Sequence, residues 1–104
     1  MKQNRNFNDL VNEHITSEKD VGILLQATLE DYSITGDKSE FLAGLKLASQ
    51  CLENIKGISG LAKKTGINRQ HLYDMLSPKG NPSFINIAKI TKALGYEITI
   101  KQHK

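Results

Sequence analysis

With 104 residues, 38% of them hydrophobic and 24% charged, the chain suits one domain with a modest core and excludes a large enzyme cleft. No apolar run reaches the length of a membrane span, and the polar start MKQNRNFND is not that of a signal peptide. The net charge of +3 is unevenly divided: residues 1–54 carry five Lys and Arg against nine Asp and Glu (net −4), and residues 55–104 carry nine against two (net +7). Unless that split is chance solvation, a polyanion would meet the second half and something else the first.

In chain order, residues 1–17 read as a polar arm, with Phe7, Leu10, Val11 and Ile15 suggesting a short helical turn. Ser17 and Asp20 resemble a capping box. Val21, Leu24, Leu25, Thr28, Leu29 and Tyr32 then recur at helical spacing, which predicts a helix over 18–32, broken by SITGD. Asp37 and Glu40 form a second box opening a helix from 38 to about 55. Its core stripe is Phe41, Leu45, Ala48, Leu52 and Ile55, flanked by Leu42 and Cys51, and Gly57 is its expected stop. Cys51, the one cysteine, cannot form an internal disulfide, so a reducing cytoplasm is expected and the thiol is read as core. Ser59 is the expected cap of a helix over 60–65, and Gly66 ends it by adopting a left-handed conformation. Asn68 caps a helix over 69–76, SPKGNP is a loop, and Asn81 with Pro82 opens a helix over 82–94 that Gly95 closes. Tyr96, Ile98 and Ile100 alternate with polar residues, a strand pattern. A lone strand must pair with the N-terminal segment, another protein or a second copy of the chain. A two-fold dimer built on Tyr96, Ile98 and Ile100 is favoured, because it needs only one self-complementary patch.

The stretch SGLAKKTGINRQHLYDMLS, residues 59–77, holds two short helices around a three-residue GIN turn. Ala62 is small where the second helix crosses, Gly66 makes the corner, and Ile67, Leu72, Met75 and Leu76 hold the second helix to the core. That is a helix-turn-helix arrangement. Its outward face carries Gln70, Tyr73, Asp74 and Ser77, with Arg69 at the start. Arg suits guanine edges and phosphate, and Gln suits adenine edges. Asn68 and Ser59 would cap helices whose first amides face phosphates. Lys63, Lys64, Lys79 and Asn81 flank the same face and would hold the backbone. Asp74 opposes phosphate unless it accepts from a cytosine amine or pairs with a cation such as Lys79. The bland alternative is a packing corner with a solvated polar face.

The segment LAKKTGINRQHLYDMLSPKGNPSFINIAKITKALGYEITI resembles the Xre/Cro-type helix-turn-helix of the addiction-module antidote group, the HigA-like antitoxins. LYDMLSPKGNPSF and ITKALGYEI are its more specific parts, and LLQATLEDYSITGDKSEFLAGL resembles that group's N-terminal region. The resemblance covers about residues 18–101 and departs from the group over roughly the first fifteen to twenty residues. It implies an all-α, five-helix, lambda-repressor-like domain over 18–104 with a short C-terminal β-strand. It also implies operator DNA as a ligand of the homodimer, repression of the chain's own operon, and a partner toxin, often an mRNA-cleaving protein of the RelE-like fold. Carried over by position, the reading helix runs from Arg69 to Leu76, and Lys79 to Asn81 would touch DNA backbone. The acidic half around Val21 to Tyr32 would face a basic toxin.

A free-standing Xre/Cro-type repressor without a toxin is the alternative within the binding class, and a purely structural module is the alternative outside it. Enzyme chemistry is not expected. His14, His71 and His103 are scattered, with no Cys or His at metal-ligand spacing, and no nucleophilic triad or phosphate loop converges, so no metal or cofactor is expected.

Overall fold

A computed structural model describes residues 18–100 and 102. Among them the chain forms five helices: α1 Glu18–Thr35, α2 Ser39–Cys51, α3 Gly57–Thr65, α4 Arg69–Met75 and α5 Phe84–Ala93. The expected N-terminal turn and Ser17 lie outside the described residues.

α1 buries Val21, Leu25 and Thr28 and half-buries Leu29 and Tyr32. The Thr28 hydroxyl donates to the Leu24 carbonyl at 3.0 Å, so it enters the core with its hydrogen bond made. The helix runs one turn past the expected break. Ser33 and Thr35 donate back to the carbonyls of Glu30 and Asp31, and Gly36 then closes it with an N–H bond to the Tyr32 carbonyl at 2.8 Å. Asp37 Oδ1 accepts from the Ser39 N–H at 3.0 Å and from the Ser39 hydroxyl at 2.8 Å. Those two bonds, the backbone one first, hold the Asp37 carboxyl below the usual aspartate range.

α2 buries Phe41, Leu42, Leu45 and Ala48 as its stripe requires. It ends at Cys51, earlier than expected. Leu52 is already extended, and a turn whose Ile55 N–H bonds the Leu52 carbonyl at 3.0 Å carries Leu52 and Ile55 into the core. Because the chain turns there, Leu52 rather than Cys51 faces inward, and Cys51 is exposed, contrary to its expected core role. Gly57 does not stop α2. It begins α3, following Lys56, which itself holds a left-handed φ of 64°.

This early start leaves Ser59 inside the first turn of α3 with no capping bond, so its expected cap role fails. Gly60 instead has a steric role. A Cβ there would overlap the Ile55 backbone carbonyl, so the preceding turn presses directly on the helix. α3 packs against α2, α4 and α5 through Ile58 and Leu61, while α1 lies on α2. α5 starts two residues later than expected, at Phe84. Its cap is Ser83, whose hydroxyl accepts from the Asn86 N–H at 3.2 Å, not Asn81. Ile90 and Leu94 are buried, whereas Ile85 of the same helix is 66% exposed.

The C-terminal segment forms no strand among the described residues. Its first alternating residue, Tyr96, is committed to the fold. The Tyr96 N–H bonds the Thr91 carbonyl at 3.1 Å, and its ring lies across Gly22 of α1, so close that a Cβ at Gly22 would sit 3.0 Å from Cε1. Ile98 is half-buried and Ile100 is 98% exposed. A period of two is present, but one chain offers no neighbouring strand to complete a ladder.

Candidate nucleic-acid interface

The corner between α3 and α4 forms as the sequence predicts. Gly66 has φ +77°, and its N–H bonds the Ala62 carbonyl at 2.8 Å. The left-handed shape is cheap for glycine alone and satisfies a loose carbonyl at the helix end. The Thr65 hydroxyl donates to Leu61 and accepts from the Ile67 N–H at 3.2 Å, which tightens the turn. Asn68 then caps α4, its Oδ1 accepting from the His71 N–H at 3.1 Å. Leu72, Met75 and Leu76 are buried and fix α4 to the core.

With those residues inward, Arg69, Gln70, His71, Tyr73 and Asp74 lie on the exposed side. Asn68, Arg69, Gln70 and Tyr73 line one shallow hollow. Gln70 Nε2 donates to Asp74 Oδ1 at 3.2 Å, so Asp74 is engaged within its own helix rather than with Lys79. The guanidinium of Arg69 lies 5.6 Å from the centre of the Tyr73 ring, a cation–π approach. Lys63 and Lys64 occupy the last turn of α3, where they also complement the helix dipole, and both are exposed. Ser59 is exposed at the opposite end of α3.

Lys79 and Asn81 are exposed in the loop after α4. That loop is pinned by Gly80, which is buried against the end of α4. Its N–H bonds the Ser77 carbonyl at 2.9 Å, and a Cβ would strike the Met75 carbonyl and come within 2.7 Å of the Asp74 oxygen. Asn86 of α5 donates to Met75 Sδ at 3.4 Å across the same junction. Of the expected dimer residues, Tyr96 and Ile98 line hollows formed with α1 and α5, and Ile100 is exposed. Among the described residues, no cluster of three or more His, Cys, Asp or Glu could hold a metal, and no helix is long and apolar enough to cross a membrane.

One residue near the corner escaped the sequence reading. Lys46 of α2 places Nζ 5.4 Å from the centre of the same Tyr73 ring. In the sequence it counted only toward the charge of residues 1–54, and nothing local tied it to Tyr73.

The fold and the corner define a small all-helical domain that presents a cation-bearing short helix. Residues 4–102 match the family model described as probable addiction module antidote protein, and the chain belongs to that family. The match begins at residue 4, so the opening residues that carried no clear likeness fall inside it. An uncharacterized protein of Haemophilus influenzae (strain ATCC 51907 / DSM 11121 / KW20 / Rd) is 31% identical over 94 residues, covering 90% of this chain and 89% of its own length. No solved structure matches the chain significantly.

Proposed function

We propose that the chain is the antitoxin of a type II toxin–antitoxin module, a cytoplasmic, non-enzymatic protein that binds operator DNA as a homodimer and neutralises a cognate toxin. Membership of an antidote family supports the toxin partner. The observation that carries DNA binding is the exposed α4 face. Arg69, Gln70 and Tyr73 stand on a helix anchored by Leu72, with Lys63, Lys64 and Lys79 around it and no ion pair to any of these cations among the described residues. An Xre/Cro-type helix-turn-helix uses such a helix to read base edges while the flanking cations hold phosphates. In a dimer the two copies of α4 would lie roughly 34 Å apart and read a pseudo-palindrome.

An exposed apolar surface supports the dimer. Phe84 and Ile85 are 67% and 66% exposed at the start of α5, Ile98 lines a hollow with Phe84, and Ile100 is open. The toxin surface is assigned to α1. Ile23, Ala27, Glu30 and Ile34 recur at helical spacing on its exposed side, with Asp31 beside them. Apolar side chains bordered by carboxylates suit a basic partner of RelE-like fold.

Growth rescue tests this assignment. The chain should restore growth to cells expressing the small basic protein encoded beside it, and Ile34→Asp should abolish rescue while leaving binding to the upstream DNA intact. Binding to that DNA with no toxin at the neighbouring locus would instead establish the free-standing repressor.

A further inference from the structure

Leu45 and Leu72 are both wholly buried, and the next residue in each helix, Lys46 and Tyr73, stands at the rim where α2 and α4 approach. There Lys46 Nζ and the Arg69 guanidinium come to 5.4 and 5.6 Å from the centre of a single ring. The face of a tyrosine ring attracts cations, so Tyr73 holds both groups at the rim of α4. Neither cation pairs with a carboxylate among the described residues, and the adjacent Asp74 already accepts from Gln70. Two cations thus lie against one ring at the edge of the exposed helix, neither in an ion pair among the described residues. A phosphate at this rim would be attracted by Lys46 as well as by the cations of α3 and α4.

We propose that Lys46 is a DNA-backbone contact, and that Tyr73 is the positioning residue that holds it at the rim of α4. This rests on the assignment of α4 as the DNA-reading helix. It adds a contact from the acidic half of the chain, outside the segment from residue 59 to 81 that holds the other DNA-facing residues. Phosphate contacts bind every sequence alike, and each releases about 0.9 counter-ions. One such contact therefore contributes roughly eightfold in affinity near 0.1 M salt.

The test is fluorescence anisotropy of the full chain on its own upstream duplex and on a scrambled duplex, across a salt series. Lys46→Met keeps the aliphatic stem and removes the charge. Because each protomer of the dimer loses one contact, it should weaken binding to both duplexes by about sixtyfold at 0.1 M salt and lower the salt slope by about 1.8. Lys46→Arg should restore the slope. Tyr73→Leu combined with Lys46→Met should be no weaker than the worse single variant. A salt slope unchanged in Lys46→Met overturns the proposal, whether or not its melting temperature falls, since a structural role moves only the latter. A loss confined to the upstream duplex also overturns it, because that marks a base contact. If Arg69→Ala loses operator preference while Lys46→Met matches the parent, only the Lys46 assignment fails. If the parent protein binds neither duplex, both assignments fall.

Discussion

Gly60→Ala sets two physical effects against each other. In an isolated helix the change is favourable by about 1 kcal/mol, because alanine loses less backbone entropy than glycine. At this position the added Cβ would overlap the Ile55 backbone carbonyl oxygen, and no side-chain rotation can relieve a backbone contact. The turn at Ile55 would have to move, and Ile55 is itself 1% exposed in the core. Such overpacking costs typically about 1–3 kcal/mol, and a collision this deep belongs at or beyond the top of that range. The steric term wins, so the net effect is a loss of about 2 kcal/mol, or roughly 8–16 °C in melting temperature for a domain this small. Urea titration followed by circular dichroism measures it. Gly44→Ala is the internal control: its Cβ would meet Leu25 at 3.5 Å, an ordinary contact in mid-helix, so that change should be neutral or stabilising by under about 1 kcal/mol. A Gly60→Ala protein as stable as the parent, with the Gly44→Ala result as stated, would refute the close approach of the turn to α3.

Lys56→Gly should stabilise the chain by up to about 1 kcal/mol in the same titration, since Lys56 holds φ 64° where a side chain is strained; a loss of stability would contradict that conformation. Replacing both Ile98 and Ile100 by Asp, with Tyr96 left in its seat on α1, should reduce the mass seen by light scattering to that of a monomer; an unchanged mass removes these residues from the dimer interface. Asp37 has a lowered folded-state pKa, so its contribution is complete above the ordinary aspartate range and is lost as pH falls through its own lower value. Asp37→Asn should therefore narrow the stability difference between neutral pH and strongly acidic pH, read by thermal melting; an identical pH profile would sink the assignment.

Where local chemistry decides the backbone, the sequence could be read directly. Gly66 and Asn68 act on carbonyls and amides within a few residues, and the stripe through Phe41, Leu45 and Ala48 is a property of one helix. Ser59 and Asn81 misled because both are good caps in isolation, whereas the true helix starts are set elsewhere. α3 begins as soon as the turn after Leu52 has buried Ile55, and α5 waits for Ser83 once Gly80 has pinned the preceding loop. Ile85 is apolar yet 66% exposed, since burial depends on which elements pack against α5 and not on the residue alone. The expected strand finds no partner within one chain, and its first residue, Tyr96, packs on Gly22, a contact between the two ends of the described chain that no local pattern encodes. Lys46 was overlooked for the same reason: its ring partner lies on another helix.

Competition anisotropy with Arg69→Ala on the upstream duplex tests the role of α4 most directly. The parent should prefer its own upstream DNA over a scrambled duplex, and the variant should lose about 1–3 kcal/mol on the former while changing far less on the latter. Equal binding of the parent to both duplexes, or an Arg69→Ala protein that discriminates as well as the parent, would contradict the placement of α4 in a DNA groove.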